Sequence, residues 1–398
     1  MQILSLSLTN FRPFKRLEVE FSEKLTLLYG RNAQGKTSIL EAVNFLSILT
    51  SPIAGYDREL INFLCLDDEQ PVGRITASIK KGGEIHRIEV RLILGPVQNG
   101  NNRMRKEVLI DGVKRRLFDV VGFFNSVIFL PQMTRIIEDG PEDRRRYLDQ
   151  TLSQAYPGYM KALSRYLQGI TKRNALLKLL SEKGGDEKQL LFWDQLISEN
   201  GAILILARNQ AVMELGRIVT IKHSALTQGN EILKIIYQPA FNPWGSESPQ
   251  LSLSIDDSEQ KVFSTDEISA KYQEQLLKVR REEIRRGVTT IGPHRDDLLF
   301  SVNGVDLGVY GSRGQIRTAI MSLKFAEMDW LQEKSGDQPV LLLDETLAEL
   351  DLNRRGDLLN MLKNGKQAII TTADLELFDQ GFIDGCMSLK IEEGKIIN

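Results

Sequence analysis

Only two cysteines, Cys65 and Cys386, occur in 398 residues, far apart and without paired spacing. That scarcity excludes a disulfide framework and a thiolate metal site, and it suits a reducing cytoplasm. Charge of one sign is missing too: 51 Lys and Arg face 53 Asp and Glu, for a formal net charge of −2. Any attraction to nucleic acid must then come from local basic patches rather than from a global field. No stretch reaches the ~18 uninterrupted apolar residues of a membrane-spanning helix. The opening "MQILSLSLTNFRPFKRLEVEF" has no basic lead of the kind that starts a signal peptide. The expectation is a protein neither exported nor embedded in a membrane on its own. Low-complexity tracts, sustained heptads, helix-turn-helix and zinc-finger spacings are also lacking. Their absence excludes a long coiled coil and sequence-specific base reading by those modules.

What is present is the composition of an ordinary globular chain, 42% apolar and 26% charged. The length exceeds what one core usually fills, so one large split domain or two domains are expected. From Met1 to about Asp119 the runs "ILSLSLTNF", "RLEVEF", "KLTLLYG", "GRITASIKK", "IHRIEVRLIL" and "KEVLIDGVKRRLF" read as strands, several joined by Gly or Asn-Gly turns. One helix interrupts them from Thr37, with Ile39, Leu40, Val43, Leu46 and Ile48 at helical spacing. "NSVIFLPQ" reads as a buried strand stopped by Pro131, and a long charge-laced helical pattern follows from about Asp143 to Lys222. Residues 236–265 carry alternating runs broken by Pro, Gly and Ser, after which "ISAKYQEQLLKVRREEIRRG" restores a helix. The remainder mixes strands and helices: "DDLLFSVNGVDL", a helix from Gln315 to Gln332, "PVLLLD", a helix near "NRRGDLLNMLK", then "QAIITTAD". Apolar strands bounded by helices predict an α/β fold with a parallel sheet, its pieces at both ends of the chain and a helical insertion between them.

The segment Gly30 to Thr37, "GRNAQGKT", fits the phosphate-binding loop G-x-x-x-x-G-K-[ST]. Its glycines let backbone N–H groups face phosphate oxygens at the positive end of the following helix. Lys36 would pair with the β and γ phosphates, and the Thr37 hydroxyl would ligate Mg²⁺. "PVLLLDETLAELD" ends a strand in Asp344-Glu345. That pair suits an Asp holding Mg²⁺ through water and a Glu that orients or deprotonates an attacking water. Upstream, "SRGQ" from Ser312 to Gln315 opens a helix and forms a second anion-binding end; the plainer reading is a helix N-cap at Ser312. Two phosphate binders are redundant in one chain but not between two. In a head-to-tail pair the Ser312 hydroxyl and Gly314 N–H of one chain would cap the γ phosphate held by Lys36 of the other.

Together these segments look like the ABC-type ATPases of DNA repair and chromosome maintenance, and they most closely resemble the RecF family of replication and repair proteins. The likeness runs nearly end to end: "LTNFRPF", "GRNAQGKTSILEA", "DGPEDRRRYLDQTLSQAYPGYMKAL", "QGITKRNALLK", "IGPHRDDLLFSVNG", "SRGQIRTAIMSLKFAE", "PVLLLDETLAELD" and "IITTAD". Transporters and chromosome cohesion proteins do not share the middle segments. The resemblance implies an ABC-type P-loop ATPase head with a mixed or parallel sheet over 1–142 and 286–398, and an inserted, mainly helical arm over 143–285. It implies that Arg12 and the loop residues Gly30, Arg31, Asn32, Ala33, Gln34, Gly35, Lys36, Thr37 and Ser38 contact ATP and its metal. Ser312, Arg313, Gly314 and Gln315 would be the signature reaching across a dimer, Asp344 the Mg²⁺-side acid, Glu345 the catalytic carboxylate and Asp351 a dimer contact. Gln132, after "VIFL", stands where a metal- and water-sensing glutamine of ABC-type sites would sit. The chain departs from the family pattern at Ala33, where Gly is usual, at Ile316, where Gln is usual, and in "SILTSPIAGYDREL", which lacks the usual Ser-His-Arg. No histidine occupies the switch position near "IITTAD", where Thr371 or Thr372 would serve. His86, His223 and His294 lie elsewhere and read as structural hydrogen-bonders.

The implied function is that of a cytoplasmic, slow, DNA-dependent ATPase that dimerises around two ATP molecules, binds DNA in that closed form and releases it on hydrolysis. Its implied targets are gapped DNA or single-strand to double-strand junctions, with RecR and RecO as partners in recombinase loading. Two alternatives stand beside it: the nucleotide-binding subunit of a transporter, and an ATP-gated clamp with vestigial hydrolysis. Candidate DNA contacts are four basic clusters: Arg103, Arg105 and Lys106; Lys114, Arg115 and Arg116; Arg144, Arg145 and Arg146; and Arg280, Arg281, Arg285 and Arg286. The third cluster has a second reading, as interlocking residues that brace the helical arm on the ATPase lobe.

Overall fold

The computed structural model describes residues 1–66, 70–98, 101–245, 263–349, 355–356, 358–359, 362, 365 and 367–397. Asp351, the alternating runs within 246–262 and the side chain of Arg103 lie outside the described part. The chain forms two compact units, Met1–Met133 with Glu327–Asn398, and Thr134–Ala326.

In the first unit, strands β1 (Gln2–Phe11), β2 (Phe14–Glu20), β4 (Val72–Lys81), β5 (Glu84–Gln98), β6 (Asn101–Ile110) and β7 (Val113–Arg115) form an antiparallel sheet in the order β2-β1-β4-β5-β6-β7. Their alternation places Ile3, Leu6 and Leu8, then Ile75, Ala77 and Ile79, then Ile88, Val90 and Leu92 in the core. A second sheet runs β15-β14-β3-β13-β12-β8, from β3 (Leu25–Tyr29), β8 (Ser126–Phe129), β12 (Val340–Asp344), β13 (Ala368–Thr372), β14 (Met387–Glu392) and β15 (Lys395–Ile397). All its pairings are parallel except β14 with β15. β12 and β13 are buried along their whole length, as continuous apolar runs in a parallel sheet should be.

Helix Lys36–Ile48 shares one core with both sheets, which is why Ile39, Leu40, Val43, Phe45 and Leu46 are all fully buried. Two of its buried polar residues meet Ser126: Asn44 donates to Ser126 Oγ at 3.1 Å, and Ser47 Oγ lies 2.9 Å from the same oxygen. Parallel pairing puts the C-terminal ends of β3, β13, β12 and β8 at one edge, and the expected nucleotide residues lie there.

The second unit packs helices Pro141–Ala155, Tyr159–Lys183, Leu190–Leu226 and Thr265–Arg286 with a three-stranded sheet of β9 (Leu233–Gln238), β10 (Asp297–Val302) and β11 (Val305–Asp306). The sequence puts the insertion at 143–285, whereas this unit continues to Ala326. The reason is a non-local pairing: β10 runs antiparallel to β9, from Asp297 opposite Gln238 to Val302 opposite Leu233, and draws "IGPHRDDLLF" into the helical unit.

Helix Leu190–Leu226 is the one described helix whose length and mean hydropathy would let it cross a membrane. It is the central helix of its unit, with Ile197, Gly201, Leu204, Ile205 and Val212 buried. Gly201 lets Tyr166 and Tyr272 approach: a Cβ there would sit 2.9 Å from the Tyr272 ring and 3.2 Å from the Tyr166 ring. Buried polar residues tie the unit together. Arg208 donates to Asp149, to the Pro293 carbonyl and to Asp296, which also accepts from the Tyr237 hydroxyl. Arg173 pairs with Asp194 at 2.8 Å and with Glu283 at 2.7 Å. Asp194 also takes Arg280 at 2.6 Å.

Candidate nucleotide site

The loop from Gly30 to Thr37 leaves β3 and enters helix Lys36–Ile48. Gly30 (φ 149°) and Gly35 (φ 100°) take backbone conformations closed to most residues. Close contacts demand glycine as well: a Cβ on Gly30 would lie 2.2 Å from the Ile391 carbonyl oxygen, and one on Gly35 2.6 Å from the Phe14 ring. Ala33 also has a left-handed backbone, φ 63°, which explains why glycine is usual there and costs alanine about 1 kcal/mol. Asn32, Ala33, Gly35, Lys36, Thr37 and Ser38 line a cleft of about 500 Å³ together with Pro13 and Glu345.

Four functional groups converge at the cleft. Lys36 Nζ donates to the carbonyls of Gly30 at 2.6 Å and Arg31 at 3.0 Å, and pairs with Glu345 Oε1 at 3.3 Å. The Thr37 hydroxyl donates to the Asp344 carboxylate, 2.9 Å and 3.0 Å from its two oxygens. On the other side of that carboxylate the Thr371 hydroxyl donates to Asp344 Oδ1 at 2.7 Å. Burial pushes the Asp344 carboxyl above the usual aspartate range, while the bonds from Thr371 and Thr37 and the charge of Lys36 pull the other way. Glu345 follows with a left-handed backbone, φ 50°, its N–H bonded to the Thr371 carbonyl and hydroxyl at 3.2 Å each. The Ala373 N–H donates to Glu345 Oε2 at 3.2 Å. β13 therefore lies between β3 and β12 and braces both acids.

A hydroxyl and a carboxylate side by side are hard oxygen donors that suit Mg²⁺, an ion that keeps waters and shares phosphate oxygens with few protein ligands. Among the described residues no group of three or more His, Cys, Asp or Glu could hold a metal by itself.

Other expected residues sit differently. Arg12 makes a two-pronged pair with the buried Glu41 of the loop helix, 2.7 Å from each oxygen, and Ser51 donates to the same carboxylate. No sequence signal marks Glu41 as that partner, since it is one acid within an apolar helix. Arg31 is exposed, and Gln34 turns away from the cleft to accept from the Glu393 N–H at 2.6 Å. Gln132 lies in a short turn, Pro131–Thr134, outside the cleft lining. Between the two threonines proposed for the switch position, Thr371 touches Asp344, while Thr372 donates to the Asp374 carbonyl at 2.8 Å.

In the second unit Ser312, Arg313 and Gly314 are exposed at the start of helix Arg313–Ser335. Ser312 Oγ accepts the Gln315 N–H at 3.2 Å, and Gln315 Oε1 accepts the Ser312 N–H at 3.1 Å. This is a capping box, so the plainer reading of Ser312 is realised. It leaves the serine's own hydrogen available to a phosphate.

Several candidate DNA contacts are engaged internally. Lys106 is 15% exposed and bonds the Leu49 carbonyl at 2.6 Å and Asp57 at 2.9 Å. Arg144 pairs with Asp297 at 2.6 Å and 3.0 Å, Arg145 donates to the Asp296 carbonyl at 2.8 Å, and Arg280 is held by Asp194. Each of these four is held by a partner in its own unit; for Arg144 and Arg145 the partners Asp297 and Asp296 belong to the helical unit, not to the ATPase lobe that the second reading of the third cluster assumed. Arg105 and Lys114 are exposed and share Glu107, Arg286 is exposed and pairs with Glu282 at 2.6 Å, and Arg115, Arg116, Arg146, Arg281 and Arg285 also lie at the surface.

A family model described as the RecF/RecN/SMC N terminal domain matches residues 2–398. The DNA replication and repair protein RecF of Roseiflexus castenholzii is 35% identical over 407 residues, which cover 100% of this chain and 99% of that protein. Its counterpart in an Exiguobacterium species is 36% identical over 398 residues, covering 100% and 99%. Among solved structures, the recombination mediator protein RecF-ATPrS of the RecFOR pathway matches with a TM-score of 0.83 at 31% identity, over 99% of this chain and 97% of that one. An SMC head bound to the C-winged helix domain of ScpA shares the fold at a TM-score of 0.51 and 15% identity, over 100% of this chain and 97% of that one. A P-loop and an acid pair braced by one strand, in a chain matched along its whole length, make this protein a member of the RecF family.

Proposed function

We propose that the protein is a DNA replication and repair ATPase that binds ATP in the Gly30–Thr37 loop, pairs with a second copy around two ATP molecules and holds DNA in that closed form. The observation that carries this reading is the convergence of Lys36, Thr37, Asp344 and Glu345, each within 3.3 Å of another member of the group. Lys36 and the loop N–H groups bind the phosphates. Thr37 and Asp344 would hold a Mg²⁺ ion, which when bound neutralises charge on the phosphates. Glu345 orients a water and takes its proton as the water oxygen bonds to the γ phosphorus. The bond from that phosphorus to the bridging oxygen breaks, and its electron pair leaves with ADP.

Ser312 and Gly314 of the second copy complete the site by donating to γ-phosphate oxygens. ATP then has a higher affinity for the dimer than for the separate chains, which any ligand-driven switch requires. Turnover is slow and stimulated by DNA. The targets are gapped DNA and single-strand to double-strand junctions in recombinational repair in the cytoplasm, with RecR and RecO as partners in recombinase loading. Likeness to RecF proteins of the RecFOR pathway supports this assignment.

Sedimentation and DNA binding, measured together with and without ATP and Mg²⁺, test the reading. Wild type should dimerise and bind DNA only with ATP, and Lys36→Ala and Ser312→Arg should each abolish both. DNA binding that ignores ATP and both substitutions would overturn it.

A further inference from the structure

Behind the signature turn lies a chain of hydrogen bonds that no step of the proposed hydrolysis uses. Gln315 Nε2 donates to Glu231 Oε1 at 2.9 Å, and Glu231 Oε2 lies 3.1 Å from Nε2 of the fully buried His223. His223 Nδ1 is 3.0 Å from Ser322 Oγ, whose own hydrogen goes to the Thr318 carbonyl at 2.8 Å. The Thr318 hydroxyl in turn donates to the Gly314 carbonyl at 2.8 Å. Two routes thus run from one buried ring to the turn, one to Ser312 through Glu231 and Gln315, the other to Gly314 through Ser322 and Thr318.

Glu231 decides which way the Gln315 amide faces. A carboxylate only accepts, so the amide must turn its NH₂ to Glu231 and its oxygen to the Ser312 N–H. Reversed, the amide would set an N–H against an N–H and break the capping box. With the box intact, Ser312 Oγ accepts the Gln315 N–H, which fixes the hydroxyl oxygen at the turn and leaves its hydrogen to be donated outward. We infer that Glu231 is a positioning residue for the signature, holding Ser312 as a hydrogen-bond donor toward the phosphate bound by a second copy. The inference rests on the two-copy ATP reading above.

The test uses the full chain carrying Glu231→Ala, Glu231→Gln, Gln315→Ala or the Ala double substitution. Three quantities are read: ATP affinity of the dilute monomer, ATP-driven association across a protein concentration series, and kcat separately from KM. Losing a hydrogen bond to a charged group should weaken association of Glu231→Ala and Gln315→Ala about tenfold or more, with monomer ATP affinity changed less than about twofold. The double substitution should be no weaker than either single one, because both act through one bond. Glu231→Gln keeps an oxygen for the Gln315 amide and should restore association to near wild type. Gln315 sits on a solvent-facing turn, so its variant tests the idea even if Glu231→Ala does not fold. Wild-type association in Gln315→Ala, or in a folded Glu231→Ala, would overturn the role of Glu231 while leaving the two-copy reading intact. Wild-type protein that stays monomeric with ATP would overturn both.

Discussion

Thr371 contributes one hydroxyl, and that hydroxyl fixes both acids: it donates to Asp344 at 2.7 Å and accepts from the Glu345 N–H at 3.2 Å. Thr371→Val keeps the shape and removes both bonds. Single-turnover hydrolysis should slow about tenfold to a hundredfold while ATP affinity changes little, because misaimed groups harm the transition state more than the ground state; unchanged hydrolysis would rule out this bracing role. His294 offers a second residue-scale prediction. Its Nδ1 accepts from the Tyr166 hydroxyl at 2.7 Å and its Nε2 faces the Thr289 carbonyl at 3.3 Å, which suits a neutral ring. Burial, aided by the charges of Arg295, Arg145 and Arg173, pushes it down from 6.5 to about 4. The unfolded chain therefore takes up a proton at higher pH than the folded one. This stabilisation is full above pH 6.5 and is lost as pH falls through 4, by on the order of 3 kcal/mol at most. Urea melts across that range should show a shallower pH dependence for His294→Gln, and equal slopes would refute the assignment. At this scale the loop lysine, its threonine and the acid pair were legible because their chemistry is local in sequence. The partners of Arg12, Lys106, Arg144 and Arg280 were not, since each is an acid or carbonyl brought close only by folding.

Elements show the same division between local and distant causes. The P-loop could be read because its glycines answer to a turn and a helix start next to them. Gly30 carries a further demand from the Ile391 carbonyl of β14, more than 300 residues on. Gly30→Ala should lose ATP binding and destabilise the first unit by a few kcal/mol, at the upper end of the overpacking range. Gly314 is the contrast: a Cβ there meets nothing nearer than Ser312 Oγ at 4.0 Å. Gly314→Ala should leave the melting temperature unchanged yet weaken ATP-driven association, since only a phosphate from another chain would meet the added methyl. Intact association would argue against the signature role. Strands β3, β12 and β13 were legible as apolar runs closed by turn or acidic residues. The border of the helical unit was not, because it depends on β9 finding β10 some 60 residues later, and no local pattern announces such a pairing.

For the whole molecule, near-neutral charge means that DNA bound as proposed would be held by a few surface cations. Among the candidates, Arg281 and Arg285 are exposed on helix Thr265–Arg286. Reversing both to Glu should weaken ATP-dependent DNA binding and flatten its salt dependence by about 0.9 in log–log slope for each phosphate that is no longer neutralised. Arg144→Ala should instead lower stability by roughly 3 kcal/mol, by leaving Asp297 unpaired. Anisotropy titrations over a salt series and urea melts of the same variants separate the two outcomes. The order of the strands also bears on how the protein is made. β3 emerges early from the ribosome, but its neighbours β13 and β14 arrive more than 300 residues later, and Ile3 waits for Gln367, which bonds it in both directions at 2.7 Å. At roughly 5–20 residues per second, the nascent phosphate loop spends tens of seconds without the sheet that shapes it. A chain released before residue 371 has Lys36 and Thr37 but neither Thr371 nor a completed sheet, so translation must pass that point before the protein can become an ATPase.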